Sequence, residues 1–262
     1  MGIATIIGIV VGLFAVLYGC TEGHFSLSHL ASFIDVIAIV LMVGGAASVV
    51  LMGFSMKQVL TLPAVFMVTL KAKTESPVEL INKIVQFAEI ARRDGILALE
   101  GVTQGVKDPF LVRGIQLAVD GTDPELIEKI MTTELDSITE RHNTHKRMVD
   151  KLTLYTPAWG LAATVIGLII MFKALKKDVD PGEIGKGFAI ALTATMYGVL
   201  GANALFGPLG DKLLAAHEEE MLIKNIIVRG VLSIQSGDNP RIVEQKLRVF
   251  LPPKLRATET KG

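Results

Sequence analysis

Residues 154–172 read LYTPAWGLAATVIGLIIMF, and residues 188–205 read FAIALTATMYGVLGANAL. Neither stretch contains Asp, Glu, Lys, Arg or His. A helix crosses the hydrocarbon core of a bilayer in about 20 predominantly apolar residues, so each stretch is long enough to span. Two earlier stretches qualify on the same ground, Ile3 to Cys20 and Phe33 to Phe54. All four are rich in Gly and Ala, the residues that allow membrane helices to pack closely. The predicted fold class is therefore an all-α membrane protein with four transmembrane helices.

Composition agrees with this reading. Half of the residues are hydrophobic, 20% are charged and mean hydropathy is +0.50, above the range of a soluble domain of this length. The 26 basic and 26 acidic residues cancel, so overall charge offers no case for nucleic-acid binding. Cys20 is the single cysteine, which excludes an intrachain disulfide. Leu17-Tyr18-Gly19-Cys20 superficially resembles a lipoprotein cleavage site, but no Lys or Arg precedes it, and a cysteine at a helix end is the simpler reading.

The connections differ in charge. Residues 21–32 carry no Lys or Arg, residues 55–153 carry 13, residues 173–187 carry four and residues 206–262 carry nine. The positive-inside rule places the long insert and the tail in the cytoplasm, with both termini inside. Lys173, Lys176, Lys177 and Lys186 run against that rule, and Asp178, Asp180 and Glu183 offset them only in part. The expected organisation is transmembrane helices 1 and 2 over 1–54, a cytoplasmic helical insert over 55–153, transmembrane helices 3 and 4 over 154–208, and a cytoplasmic helical tail over 209–262.

Helix-start signals recur through the polar parts. Ser76-Pro77-Val78-Glu79 joins a capping residue, a first-turn proline and an acid. Leu80, Ile81, Ile84, Phe87, Ala88 and Ile90 follow at helical spacing. Asp108-Pro109 opens a second helix that Gly121 closes, and Asp123-Pro124 opens a third running towards Thr153. Asp180-Pro181 precedes the last membrane helix, which is expected to continue through Lys212 to Ile234. Asn239-Pro240 starts a short terminal helix.

No phosphate-binding loop, dinucleotide turn or nucleophile elbow is present, so no enzyme chemistry is expected, and no cofactor. His142 and His145 could share one helix face, but a metal needs a third ligand, and Arg141, Lys146 and Arg147 would repel it; a solvated polar face is the simpler reading. Asp35 is the one acid inside any span, near its outer end. An ion path through lipid usually needs a carboxylate deeper in, so either the chain moves no ions or a partner supplies that group. Thr164, Thr193 and Thr195 offer hydroxyls, which suit small hard cations; membrane threonines also commonly bond the carbonyl one turn back. Pro157 and Pro208 mark either helix boundaries or hinges. Ala194, Gly198 and Ala202 form a small-residue face suited to close helix approach. Arg92 and Glu100, with Arg93 between them, lie about 80° apart on one continuous helix; they form either a wet face or an electrostatic docking patch.

In joint order and spacing these segments resemble the A subunits of the bacterial flagellar motor stator, the MotA/PomA family. The resemblance rests on Ala91-Arg92-Arg93-Asp94-Gly95 through Glu100, Ala118-Val119-Asp120-Gly121, Tyr155-Thr156-Pro157-Ala158-Trp159-Gly160 through Leu168, and Thr195-Met196-Tyr197-Gly198 with Asn203 and Phe206-Gly207-Pro208-Leu209. Gly230-Val231-Leu232-Ser233-Ile234 and Glu244-Gln245-Lys246-Leu247 extend it.

The resemblance implies residue roles. Arg92 and Glu100, with Arg93, match charges that meet the rotor's switch protein, FliG. Pro157 and Pro208 match channel-shaping prolines, Asp35 an acid at the outer mouth, and Thr164 and Thr195 positions facing the ion path, where they would be transient sodium contacts at most. It also implies a B subunit carrying the ion-binding Asp, a ring of five A chains around two B chains, residence in the bacterial inner membrane, and transport of sodium or protons. Sodium-driven members tend to have Thr where this chain has Thr164, which favours sodium. Gly44-Gly45-Ala46, where Thr is commoner third, and Asp94, where Glu is commoner, depart from the pattern. An energising subunit like ExbB or TolQ and a non-conducting membrane scaffold are the alternatives; the hairpin preceding the insert argues against the first.

Overall fold

A computed structural model of the chain describes residues 3–21, 30–71, 76–175 and 181–256. Most of the first connection and, in the third, Lys176, Lys177, Asp178 and Asp180 lie outside these residues. Among the described residues every regular element is helical. In chain order they are α1 (Ile3–Cys20), α2 (Val36–Gly53), α3 (Met56–Val59), α4 (Leu62–Lys71), α5 (Pro77–Asp94), α6 (Leu99–Val102), α7 (Pro109–Val119), α8 (Pro124–Ala174), α9 (Pro181–Leu200), α10 (Gly207–Gln235), α11 (Pro240–Arg248) and α12 (Pro253–Arg256). Short 3-10 turns cover Ile96–Ala98 and Thr103–Gly105, and a π-turn, Gly201–Phe206, joins α9 to α10.

The capping signals act as their chemistry dictates. The Asp108 carboxylate accepts from Phe110 N at 2.8 Å and Leu111 N at 3.3 Å, and the Asn239 side chain accepts from Arg241 N at 3.1 Å. Each satisfies first-turn N–H groups that a helix cannot pair internally. Ser76 occupies the cap position of α5 without a side-chain bond. Gly121, at φ 72°, supplies the left-handed residue that ends α7.

The chain forms two compact units, residues 1–72 with 143–214, and residues 73–142 with 215–262. The polar insert drawn from hydropathy, 55–153, is thus divided, its two ends belonging to the first unit. Among the described residues three helical runs are long and apolar enough to cross a membrane, within Val36–Gly53, Pro124–Ala174 and Pro181–Gln235. The described apolar part of α1, Ile6–Cys20, is shorter than that. Its side chains from Ile6 to Phe14 are exposed, and so are Ile37, Val40, Leu161, Val165, Ile169, Leu192 and Val199. Exposed apolar flanks of this kind fit a lipid or neighbouring-helix surface, since water would disfavour them.

The helices α8 and α9 meet along their smallest residues. A β-carbon added to Gly187 would lie 2.6 Å from Met171 N, one on Gly167 2.8 Å from Ala191 N, one on Gly160 2.8 Å from Ala194 O, and one on Gly198 3.1 Å from Pro157 Cα. Contacts that climb α9 while descending α8 define an antiparallel pair held at backbone distance. Ala38, Ala163 and Ala194, all essentially inaccessible, bring α2 onto this pair. Further along, the Trp159 indole fills the space over Gly45, where a β-carbon would lie 2.1 Å from the ring.

Two expectations change. The third insert helix and third span are one helix, α8, of 51 residues, with Pro157 inside it. Pro157 is therefore no boundary: the helix runs through it although Thr153 O loses its N–H partner. Likewise α9, the π-turn and α10 form one run through Pro208. Pro208 has no N–H to give Ala204 O, and the preceding turn widens so that Gly207 N–H donates to Ala202 O.

The second unit has a conventional apolar core. Leu80, Ile81, Ile84 and Phe87 of α5 pack with Phe110, Leu111 and Ile115 of α7, Ile127 and Met131 of α8, Ile226, Ile227 and Val231 of α10, and Val243 and Leu247 of α11. Residues of the tail, in α10 and α11, thus complete the core that α5 and α7 of the insert begin.

Candidate functional site

The antiparallel pair α8–α9 carries a small oxygen cluster between otherwise apolar flanks. Thr164 Oγ1 lies 3.0 Å from Gly160 O and 3.0 Å from Ala191 O on the facing helix. Thr195 Oγ1 lies 3.1 Å from the same Ala191 O, and the two hydroxyls bond to each other. Thr195 is exposed and Thr164 half-buried on the face of this single chain. The hydroxyls have two protons to give, with Gly160 O, Ala191 O and each other as acceptors. One mutual bond uses a single lone pair, so at least three of the four lone pairs remain free to meet a cation. Thr193 does not join them: it is 8% exposed and donates to Ala189 O at 2.8 Å, in a packing role.

Asp35 sits just outside α2 rather than within a span. Its carboxylate caps that helix by accepting from Ala38 N at 2.8 Å, and its own N–H donates to Tyr197 OH at 3.0 Å. Tyr197 OH in turn donates to Phe33 O. One phenol of α9 thereby holds the chain on both sides of Ile34. The sequence carries Tyr197 within a family segment but gives no sign of this bond.

The charged segment of the second unit is rearranged relative to expectation. Arg92 and Arg93 end α5, but Gly95 adopts φ 87° and breaks the helix, so Glu100 lies in the separate turn α6. The single-helix angle between Arg92 and Glu100 therefore does not apply, because only a residue without a β-carbon takes that φ at little cost. Arg93 is committed locally: its guanidinium donates to both Asp94 oxygens at 2.8–3.1 Å. That bond holds the Asp94 carboxyl below the usual range and raises Arg93. Arg92 and Glu100 are exposed and in no ion pair among the described residues.

The two histidines diverge. His142 Nδ1 faces His217 Nδ1 at 3.1 Å in the second unit, while His145 Nε2 meets Thr61 Oγ1 at 3.0 Å in the first. They do not form the shared face that their spacing permits. No group of three metal-ligating side chains occurs among the described residues.

The all-helical fold, its long apolar helices and the backbone-distance pairing of α8 with α9 define a multi-pass membrane subunit. The family model of the MotA/TolQ/ExbB proton channel family matches residues 102–225. The motility protein A of Borreliella burgdorferi is 36% identical over 98% of this chain and 96% of its own length. The chemotaxis protein PomA of Vibrio alginolyticus is 34% identical over 99% of each. The solved structure of C. jejuni MotAB superposes with a TM-score of 0.87 at 29% identity, covering 99% of this chain and all of the other. The chain belongs to the MotA/PomA family of flagellar motor stator A subunits. It is a membrane component of a stator and not an enzyme.

Proposed function

We propose that this chain, with a B subunit, forms a sodium-conducting channel whose ion flow is converted into torque on the flagellar rotor. In this reading Ile3–Cys20 is the first of four spans, the 55–153 insert and the tail are cytoplasmic, and both termini lie inside. The carrying observation is the oxygen cluster of Thr164, Thr195, Gly160 O and Ala191 O in spans free of carboxylates. Hydroxyl and carbonyl oxygens can replace part of a sodium ion's hydration shell, while protons need no such cluster. The ion-binding Asp then belongs to the B subunit, in a complex of five A chains and two B chains, and Asp35 with Tyr197 shapes the outer mouth. Pro157 and Pro208, both inside continuous helices, carry channel state along α8 and α10.

Arg92 and Glu100 supply exposed, uncommitted charges for docking on the rotor protein FliG. Reversal by Arg92→Glu or Glu100→Lys slows rotation without loss of membrane insertion. The test of the ion is single-motor speed with sodium varied at fixed pH. Speed that rises with sodium and vanishes without it supports the proposal. Speed indifferent to sodium but abolished by collapsing the proton gradient makes this a proton motor and leaves Thr164 a packing residue.

A further inference from the structure

The first turn of α11 lies beside the last turn of α5. Val243 and Leu247, both 0% exposed, seat α11 in the core that also holds Leu80, Ile84 and Phe87. Pro240 and the Asn239 cap then fix where Arg241 leaves the helix. The result is an open cleft of about 470 Å³ lined by Glu89, Arg92, Arg93, Asn239, Pro240 and Arg241. Three guanidinium groups from two elements far apart in sequence share one surface.

They are not equivalent. Arg93 is tied to Asp94 at 2.8 Å. The other cations of α11 are also occupied, Lys246 by Asp238 at 2.6 Å and Arg248 by Glu244 at 2.6 Å. Arg241 and Arg92 are exposed and in no ion pair among the described residues. We infer that Arg241 of the tail, together with Arg92, forms a two-pronged clamp for a carboxylate-bearing protein face of the rotor, so that Arg241 rather than Arg93 is the second docking cation.

The cleft's chemistry selects the occupant. A guanidinium offers a rigid fork that fits a carboxylate with two parallel bonds, and two unpaired forks on one surface suit two carboxylates of one partner element. Glu89 inside the same cleft disfavours a compact dianion such as phosphate. It can accept from a basic or N–H group of a mixed-charge protein face. The shallow, open shape fits a docked surface rather than an enclosed small molecule. The inference rests on the rotor-docking reading of Arg92.

The test uses full-length chain with its B subunit in motile cells. Arg241→Glu, Arg92→Glu and Arg93→Gln are made singly, and single-motor speed under high load is compared with membrane level and with the melting temperature of the purified A–B complex. Arg241→Glu is expected to cut speed about threefold or more, as does Arg92→Glu, with level and melting unchanged, while Arg93→Gln stays near wild type. A carboxylate→Lys change on the rotor face is expected to restore part of the Arg241→Glu loss. Arg241→Glu at full speed beside a slow Arg92→Glu overturns the clamp and leaves Arg92 docking intact. Both at full speed overturns the docking reading and the clamp with it. A loss of speed that tracks a drop in melting temperature, and that Arg241→Gln reproduces, overturns the clamp in favour of a structural role.

Discussion

Replacing Gly160 by Ala probes whether the oxygen cluster depends on the backbone-distance approach of α8 and α9. The added β-carbon would meet Ala194 O at 2.8 Å and Gly198 Cα at 3.2 Å, both backbone atoms that no rotamer change can move aside. Ordinary contact begins at 3.4 Å, so the helices must part locally by about 0.6 Å. Thr164 follows one turn later on the same helix, and its 3.0 Å bond to Ala191 O would stretch to about 3.6 Å, past hydrogen-bonding reach. Overpacking costs about 1–3 kcal/mol, against about 1 kcal/mol gained because Ala is the better helix former, leaving a net loss of up to about 2 kcal/mol. Gly44→Ala is the control, because nothing lies within 4 Å of its added carbon. The assay pairs thermal unfolding of the purified A–B complex with single-motor speed across a sodium titration. Gly160→Ala should melt earlier and need more sodium for half-maximal speed, while Gly44→Ala should match wild type. If the two variants behave alike in both assays, close approach does not organise the cluster.

Further substitutions separate ion-path roles from structural ones. Thr164→Ala removes a hydroxyl bonded to Ala191 O and Thr195, and should raise the sodium concentration for half-maximal speed; an unchanged titration would remove Thr164 from the path. Asp35→Asn keeps a side-chain acceptor for Ala38 N, whereas Asp35→Ala loses a cap worth about 1 kcal/mol. A sodium shift in both would mark the charge as functional, and a defect in Ala alone would mark it as a cap. Tyr197→Phe leaves Phe33 O and Asp35 N without their phenol partner and should lower stability by about 1 kcal/mol, read as an earlier melt; equal melting would refute the tie. In the second unit, Ile226→Ala empties a 0% exposed core position and should cost about 2–5 kcal/mol in chemical denaturation.

Much of this architecture is legible in the chain because its determinants are local. Asp108-Pro109 and Asn239-Pro240 carry their own caps, and those helices begin at the prolines. The apolar runs report membrane burial through hydropathy alone. What escapes is set by single dihedrals and by contacts remote in sequence. Gly95 gives no sign, within an otherwise helical pattern, that it takes φ 87° and removes Glu100 from the helix of Arg92. Pro157 and Pro208 look like boundaries because proline costs a hydrogen bond, yet α8 runs on through Pro157 and the π-turn before Pro208 carries α9 into α10. Thr164 and Thr195 are 31 residues apart, and only the antiparallel pairing brings both to Ala191 O. Arg241 belongs to a tail that hydropathy separates from the insert, and its place beside Arg92 follows from the burial of Val243 and Leu247.

On the proposed reading, this chain builds an ion path whose carboxylate comes from a partner. The most direct measurement is single-motor rotation in cells supplying this chain with no B subunit, with an intact B subunit, and with a B subunit whose membrane Asp is changed to Asn. Rotation with the intact partner alone is the predicted result. Rotation without a partner, or undiminished rotation with the Asn variant, would contradict the claim.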